Sequence, residues 1–178
     1  MTIAELEQCI DEYGKDIYSF CRHATGSIQE GEELYQDTFL KAVELLGKMD
    51  THQNPKGFLL SIAVGLWRNK KRKYAWRQRI AGMESLEEKE EYQNLPTNKD
   101  DTLPEETLLQ KEQNTVLYTC IQKLSEKYQL PLYLYYASEL STKEIAACLR
   151  LPEGTVKSRL HKARMLLKEK LEVAGYDE

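Results

Sequence analysis

Apolar residues recur at Ile3, Leu6, Ile10, Tyr13, Ile17 and Phe20, in alternating steps of three and four that trace one face of an α-helix, and Gly26 ends the run. The same reading predicts a second helix from about Glu30 to Lys48, burying Leu34, Phe39, Val43 and Leu46, before the turn material Asp50 to Pro55. A third helix is expected to begin near Lys56. It carries Phe58, Leu59, Ile62, Ala63 and Leu66 inward and passes into WRNKKRKYAWRQR, Trp67 to Arg79. Residues 80–106 hold two prolines, many acids and little apolar periodicity, so they read as a linker. Apolar spacing resumes with Val116, Leu117, Cys120, Ile121 and Leu124, then Leu130 to Ala137. No strand-like alternation or Asn-Gly hairpin signal occurs, so the expected fold is all-α, two small helical domains at 1–79 and 107–174 on either side of the linker.

The most informative stretch runs from Leu140 to Lys170. Ser141 followed three residues later by Glu144 predicts a capping box, with Leu140 and Ile145 as the flanking apolar pair. The short helix this starts buries Ile145, Ala146 and Leu149 and must stop before Pro152, whose fixed φ and missing N–H suit the first position of the next helix. Two helices joined by so brief a turn cross steeply, as in a helix-turn-helix. At 100° per residue, Val156, Leu160, Ala163 and Leu167 share one stripe toward the core. Ser158, His161, Lys162 and Met165 then face outward, flanked by Lys157, Thr155 and Glu153. Arg159, Arg164, Lys168 and Lys170 lie better for phosphates than for base edges.

Net charge is −4, which alone argues mildly against a nucleic-acid partner, but the distribution changes the picture. The successive nets of residues 1–66, 67–80, 81–106 and 107–178 are −6, +7, −7 and +2. Seven bases and no acids fall within residues 67–80, interleaved with Trp67, Tyr74 and Trp76. Cations neutralise phosphates and flat rings can stack on unpaired bases, a combination suited to an opened strand as well as to a duplex. Trp67 continues the apolar face of the third helix and is read as core.

Other chemistry finds little support. There is no P-loop, no HExxH and no zinc-spaced Cys/His set, and the isolated pair Cys21 and His23 is read as core and surface. The four cysteines show no CxxC pairing, so reduced thiols are expected, with no metal, cofactor or catalytic residue. No run reaches a membrane span and the N-terminus lacks the order of a signal peptide, so a cytoplasmic protein without membrane insertion is expected.

Together the two halves resemble the extracytoplasmic-function sigma factors of the sigma-70 family, which carry region 2 and region 4 without the domain between. EELYQDTFLKAVELL is similar to the helix that grips the polymerase clamp, which implies Glu33, Gln36, Asp37, Phe39 and Leu40 as contacts to core RNA polymerase. NPKGFLLSIA and the basic run resemble the promoter-melting and minus-10 segment, implying Arg68, Asn69, Lys70, Lys71, Arg72, Lys73 and Trp76. LSTKEIAACLRLPEGTVKSRLHKARMLLKEKL is close to the minus-35 helix-turn-helix, implying Thr155, Lys157, Ser158, Arg159, His161, Lys162 and Arg164.

The departures are Gly65 near the minus-10 contacts, Phe58 for a usual tryptophan, Ser125 for a proline and Arg150 for a usual glycine. The implied function is an alternative sigma factor that directs promoter-specific initiation, with promoter DNA, core polymerase and an anti-sigma factor as partners. The acidic linker is expected to thread the polymerase's nucleic-acid channels. A LuxR-type regulator has a similar helix-turn-helix, but the first half shows no α/β receiver pattern. A nucleic-acid enzyme or a protein-only adaptor are the other classes.

Overall fold

A computed structural model of the chain describes residues 1–49, 54–81 and 108–176, with backbone only for 108–113. Every regular element among these residues is helical: α1 (Ile3–Thr25), α2 (Ile28–Glu44), α3 (Pro55–Ala81), α4 (Leu108–Gln122), α5 (Glu126–Leu132), α6 (Thr142–Leu149) and α7 (Glu153–Val173). A single 3-10 turn, Leu46–Lys48, follows α2, and a π turn, Tyr133–Ala137, follows α5. The expected linker loses its first two residues to α3. Its remainder, residues 82–106, and residues 50–53 of the expected turn lie outside the described residues.

In the first half, α1 starts at a capping box between Thr2 and Glu5 and ends on Gly26, whose φ of 69° is left-handed. Leu6, Cys9, Ile17 and Phe20 are buried from α1, whereas Ile3 and Ile10 are exposed. The face α2 turns inward is not the one its apolar residues suggest. Gly31, Leu34, Thr38 and Ala42 are buried there, Phe39 and Leu46 are half-buried, and Val43 is exposed. Small residues win because α1 passes so close. A Cβ on Gly31 would lie 2.9 Å from the Arg22 Cα, and Thr38 can be buried because its hydroxyl donates to the Leu34 carbonyl at 2.6 Å. Leu59, Leu60, Ile62, Ala63, Val64 and Trp67 from α3 complete this core.

In the second half, Leu130, Leu132, Tyr133 and Leu134 pack under α6 and α7. The capping box at Ser141 is present: its hydroxyl accepts from the Glu144 amide at 3.2 Å while the Glu144 carboxylate takes the Ser141 amide at 2.8 Å. Helix α6 closes through paired bonds, Leu151 N to Ala146 O at 2.9 Å and Arg150 N to Ala147 O at 3.4 Å, a Schellman arrangement. Arg150 therefore sits at φ 55°, left-handed for a side chain that disfavours it. Arg150→Gly is expected to stabilise the protein by about 0.5–1 kcal/mol, read as a rise of a few degrees in thermal midpoint that Arg150→Ala does not reproduce.

The halves are in contact, α1 against the π turn and α3 against α6. His23 stacks on Tyr118 at 4.3 Å and on Tyr133 at 5.5 Å between centroids, and its burial there holds its pKa below the usual histidine value. Asn54 caps α3 by accepting from the Lys56 amide at 3.0 Å, and the same side chain donates to Glu144 at 2.6 Å.

Candidate nucleic-acid interface

The sequence constrains α7 twice: its inner stripe fixes its rotation and the α6 turn fixes its start. Pro152 stands as the cap, one position before the helix. Val156, Leu160 and Ala163 are fully buried and Leu167 half-buried, so the predicted stripe faces the core. Lys157, Ser158, His161 and Lys162 are all exposed on the opposite side, with Thr155 and Arg159 half-buried at its margins. This puts four polar side chains, two of them cationic, over two turns of one helix face, the dimension a major groove admits.

Glu153 sets the approach of this helix. It accepts from the Thr142 hydroxyl of α6 at 2.8 Å and pairs with Lys157 at 3.1 Å. Those bonds, the Thr142 one first, lower its pKa below the usual carboxylate range. The Ser158 hydroxyl donates to the Gly154 carbonyl at 3.0 Å, which leaves its lone pairs directed outward. Arg164 is held away from the others. Its Nε donates to the Tyr136 hydroxyl at 2.7 Å, and its guanidinium lies 5.4 and 5.6 Å from the ring centres of Tyr135 and Tyr136.

On α3, Trp67 is buried, whereas Tyr74 and Trp76 are 63% and 64% exposed. The first cations of the run are engaged. Arg68 donates to the Leu149 carbonyl at 3.2 Å, Lys70 pairs with Glu33 at 3.1 Å, Lys71 pairs with Glu126 at 2.6 Å, and Arg72 donates to Asn69 at 2.8 Å. Lys73, Arg77 and Arg79 meet no partner among the described residues. The last two were not singled out from sequence, although the same count of bases contains them. Gly65 is exposed with nothing within 4 Å of a Cβ built on it, so packing does not demand glycine there.

The third surface lies on α2. Glu33, Gln36, Asp37 and Leu40 are exposed, Leu40 by 65%, and Val43 joins them at 49%. Phe39 is half-buried, edge-on to Tyr35 at 4.9 Å. Leu40 and Val43 thus form an exposed apolar pair bordered by the polar Glu33, Gln36 and Asp37. Val43 was expected inside, and its exposure enlarges this surface.

No cluster of three His, Cys, Asp or Glu exists among the described residues, all four cysteines are buried and free, and burial pushes the Cys21 and Cys148 thiols up to about 12. No helix among the described residues is long and apolar enough to cross a membrane.

Comparison with known proteins follows the same division. The family model described as Sigma-70 region 2 matches residues 9–77, and that described as Sigma-70, region 4 matches residues 115–167. The ECF RNA polymerase sigma factor SigW of Bacillus subtilis is 32% identical over 166 residues, covering 91% of this chain and 86% of that protein. RNA polymerase sigma factor YlaC of the same organism is 27% identical over 173 residues, covering 97% and 95%. The solved sigma factor RpoE from Bartonella quintana, in complex with the anti-sigma factor NepR, superposes with a TM-score of 0.77 at 22% identity, covering 96% of this chain and 99% of that one. CnrH in complex with the cytosolic domain of CnrY gives 0.67 at 17%, covering 97% and 90%. At those identities the structures share the fold.

Proposed function

The chain belongs to the sigma-70 family, alongside its extracytoplasmic-function members, and on that premise we propose how its surfaces divide the work. As a sigma factor it binds core RNA polymerase and directs promoter-specific transcription initiation. Sigma factors regulate transcription rather than catalyse it, and no residue is assigned a catalytic role. The first domain, residues 1–79, grips polymerase through Glu33, Gln36, Asp37, Phe39 and Leu40 of α2. Arg68, Asn69, Lys70, Lys71, Arg72, Lys73 and Trp76 of α3 engage and open the minus-10 element. The second domain, residues 107–174, lays α7 into the minus-35 element, with Lys157, Ser158, His161 and Lys162 toward base edges and Thr155, Arg159 and Arg164 toward the backbone. The expected linker, 80–106, joins them.

The observation that carries this reading is the exposure of two basic faces, one on each half, beside a third exposed face that is apolar and acidic. Arg164 must leave Tyr136 to reach a phosphate, as Lys157 must leave Glu153 to reach a base edge. An anti-sigma factor is proposed as a further partner, since a sigma factor of this fold, RpoE of Bartonella quintana, was captured with one.

In a reconstituted system of this protein, core polymerase and genomic promoter fragments, new specific start sites are the expected result. Asp37→Ala combined with Leu40→Ala should weaken core binding about tenfold, measured by competition for core, because truncating a central contact costs on the order of 1–2 kcal/mol. Unchanged core affinity would remove α2 from the assignment.

A further inference from the structure

The halves meet through groups that a promoter needs. Glu126, the first residue of α5, reaches back to α3 with both carboxylate oxygens: Oε2 is 2.6 Å from Lys71 Nζ and Oε1 is 3.8 Å from Arg68 Nε. Arg68 donates besides to the carbonyl of Leu149, the last residue of α6, where unpaired carbonyls carry the negative end of the helix dipole. A carboxylate offers the same charge and the same pair of acceptor oxygens as a phosphodiester. Glu126 thus occupies, toward Arg68 and Lys71, the place a backbone phosphate would take.

The closed contact is also incompatible with a promoter by its dimensions. Elements centred near minus-10 and minus-35 are about 25 base pairs apart, on the order of 85 Å at about 3.4 Å per pair. Two touching halves of this size cannot lie on both. The 26 residues between α3 and α4 could span at most about 90 Å of extended chain, so covalent length permits separation.

We propose that Glu126 is an internal stand-in for a DNA phosphate: it holds the two halves closed and withholds Arg68 and Lys71 from DNA until they part. This rests on the reading of α3 as a DNA surface. The stacking of His23 on Tyr118 and Tyr133 and the bond from Asn54 to Glu144 steady the closed form without using any DNA-facing cation. Half-exposed ion pairs are individually weak, so the latch yields to DNA or polymerase and its removal has an effect of a few fold. Lys73, Arg77 and Arg79 stay outside it and keep the closed form able to make a first, loose encounter with DNA.

The test uses the full chain without polymerase, a labelled oligo(dT) strand of 20 nucleotides at low salt, and small-angle scattering of the same samples. Glu126→Gln should bind the strand about threefold tighter and show a larger radius of gyration. The gain should vanish in Glu126→Gln with Lys71→Ala. If Glu126→Gln melts early, Glu126→Asp keeps the helix-terminal charge but withdraws it by one methylene, and it carries the same expectation at smaller size. Equal affinity and equal radius would overturn the latch, and so would expansion without any gain in affinity. If Arg68→Ala and Lys71→Ala alter neither strand binding nor transcription by the holoenzyme, the reading of α3 itself fails. If they matter and Glu126→Gln does nothing, the latch alone fails.

Discussion

Gly31→Val is expected to destabilise the first half by at least about 3 kcal/mol and to lower its melting midpoint by more than 10 °C. A Cβ at Gly31 would stand 2.9 Å from both the Cα and the Cγ of Arg22 and 3.2 Å from its amide nitrogen. Two of those atoms are helical backbone in the last turn of α1, where the Gly26 amide bonds to the Arg22 carbonyl at 2.9 Å, so they cannot swing aside as a side-chain tip could. Overpacking a core commonly costs 1–3 kcal/mol when side chains can adjust. Here α2 would have to move off α1 as a unit and loosen Leu34, Thr38 and Ala42 with it. A domain of this size has roughly 4–11 kcal/mol in hand, so the loss is a large share. Core polymerase affinity should fall in parallel, because Gln36, Asp37 and Leu40 ride on the displaced helix. Gly65→Ala is the control, with open space around its Cβ, and should melt no lower than the parent. A Gly31→Val protein melting within about 2 °C of the parent would mean that the two helices do not approach as described.

Lys157→Ala combined with Lys162→Ala should reduce initiation at promoters dependent on the upstream element by about 100-fold, with core polymerase affinity unchanged. Each lysine is exposed, and a base-edge or phosphate contact from such a residue is worth about 1–3 kcal/mol. Lys157 first has to leave Glu153, but an exposed pair of that kind holds it by only about 0.2–1 kcal/mol, so DNA wins. Removing two cations should also shrink the slope of log affinity against log salt by about 2. Promoters whose selection survives the double substitution with full strength and an unchanged salt slope would show that another face of α7 enters the groove.

Much of this is legible in the order of residues. Ser141 with Glu144 sets the start of α6 through side-chain and backbone groups three residues apart, and Pro152 with the spacing of Val156, Leu160 and Ala163 sets the register of α7. Such signals are local, which is why the outward face of the recognition helix could be named residue by residue. The burial of Trp67 followed from the same logic, since it prolongs the inner face of α3.

Periodicity misjudged α2. It weighs residues by apolarity and so favoured Phe39 and Val43 as buried, whereas the helix turns Gly31, Thr38 and Ala42 inward. Size decides that face, because α1 lies too near for larger groups, and the nearness belongs to the pair of helices rather than to either sequence. The exposed Val43 and Leu40 that result give the outer face of α2 an apolar pair.

By itself, then, the chain's order of residues determined its helices, their caps, the two-part organisation and the charge of each surface, since all of these depend on neighbours within about one or two turns. Only the tertiary structure decided which face of α2 is free and which cations of α3 are already taken. It also brought Glu126 to Lys71, 55 positions away, and set His23 against Tyr118 and Tyr133. A hydrogen bond or a stacked ring acts over a few ångströms, and no pattern along the chain records which distant residues folding will bring within that reach.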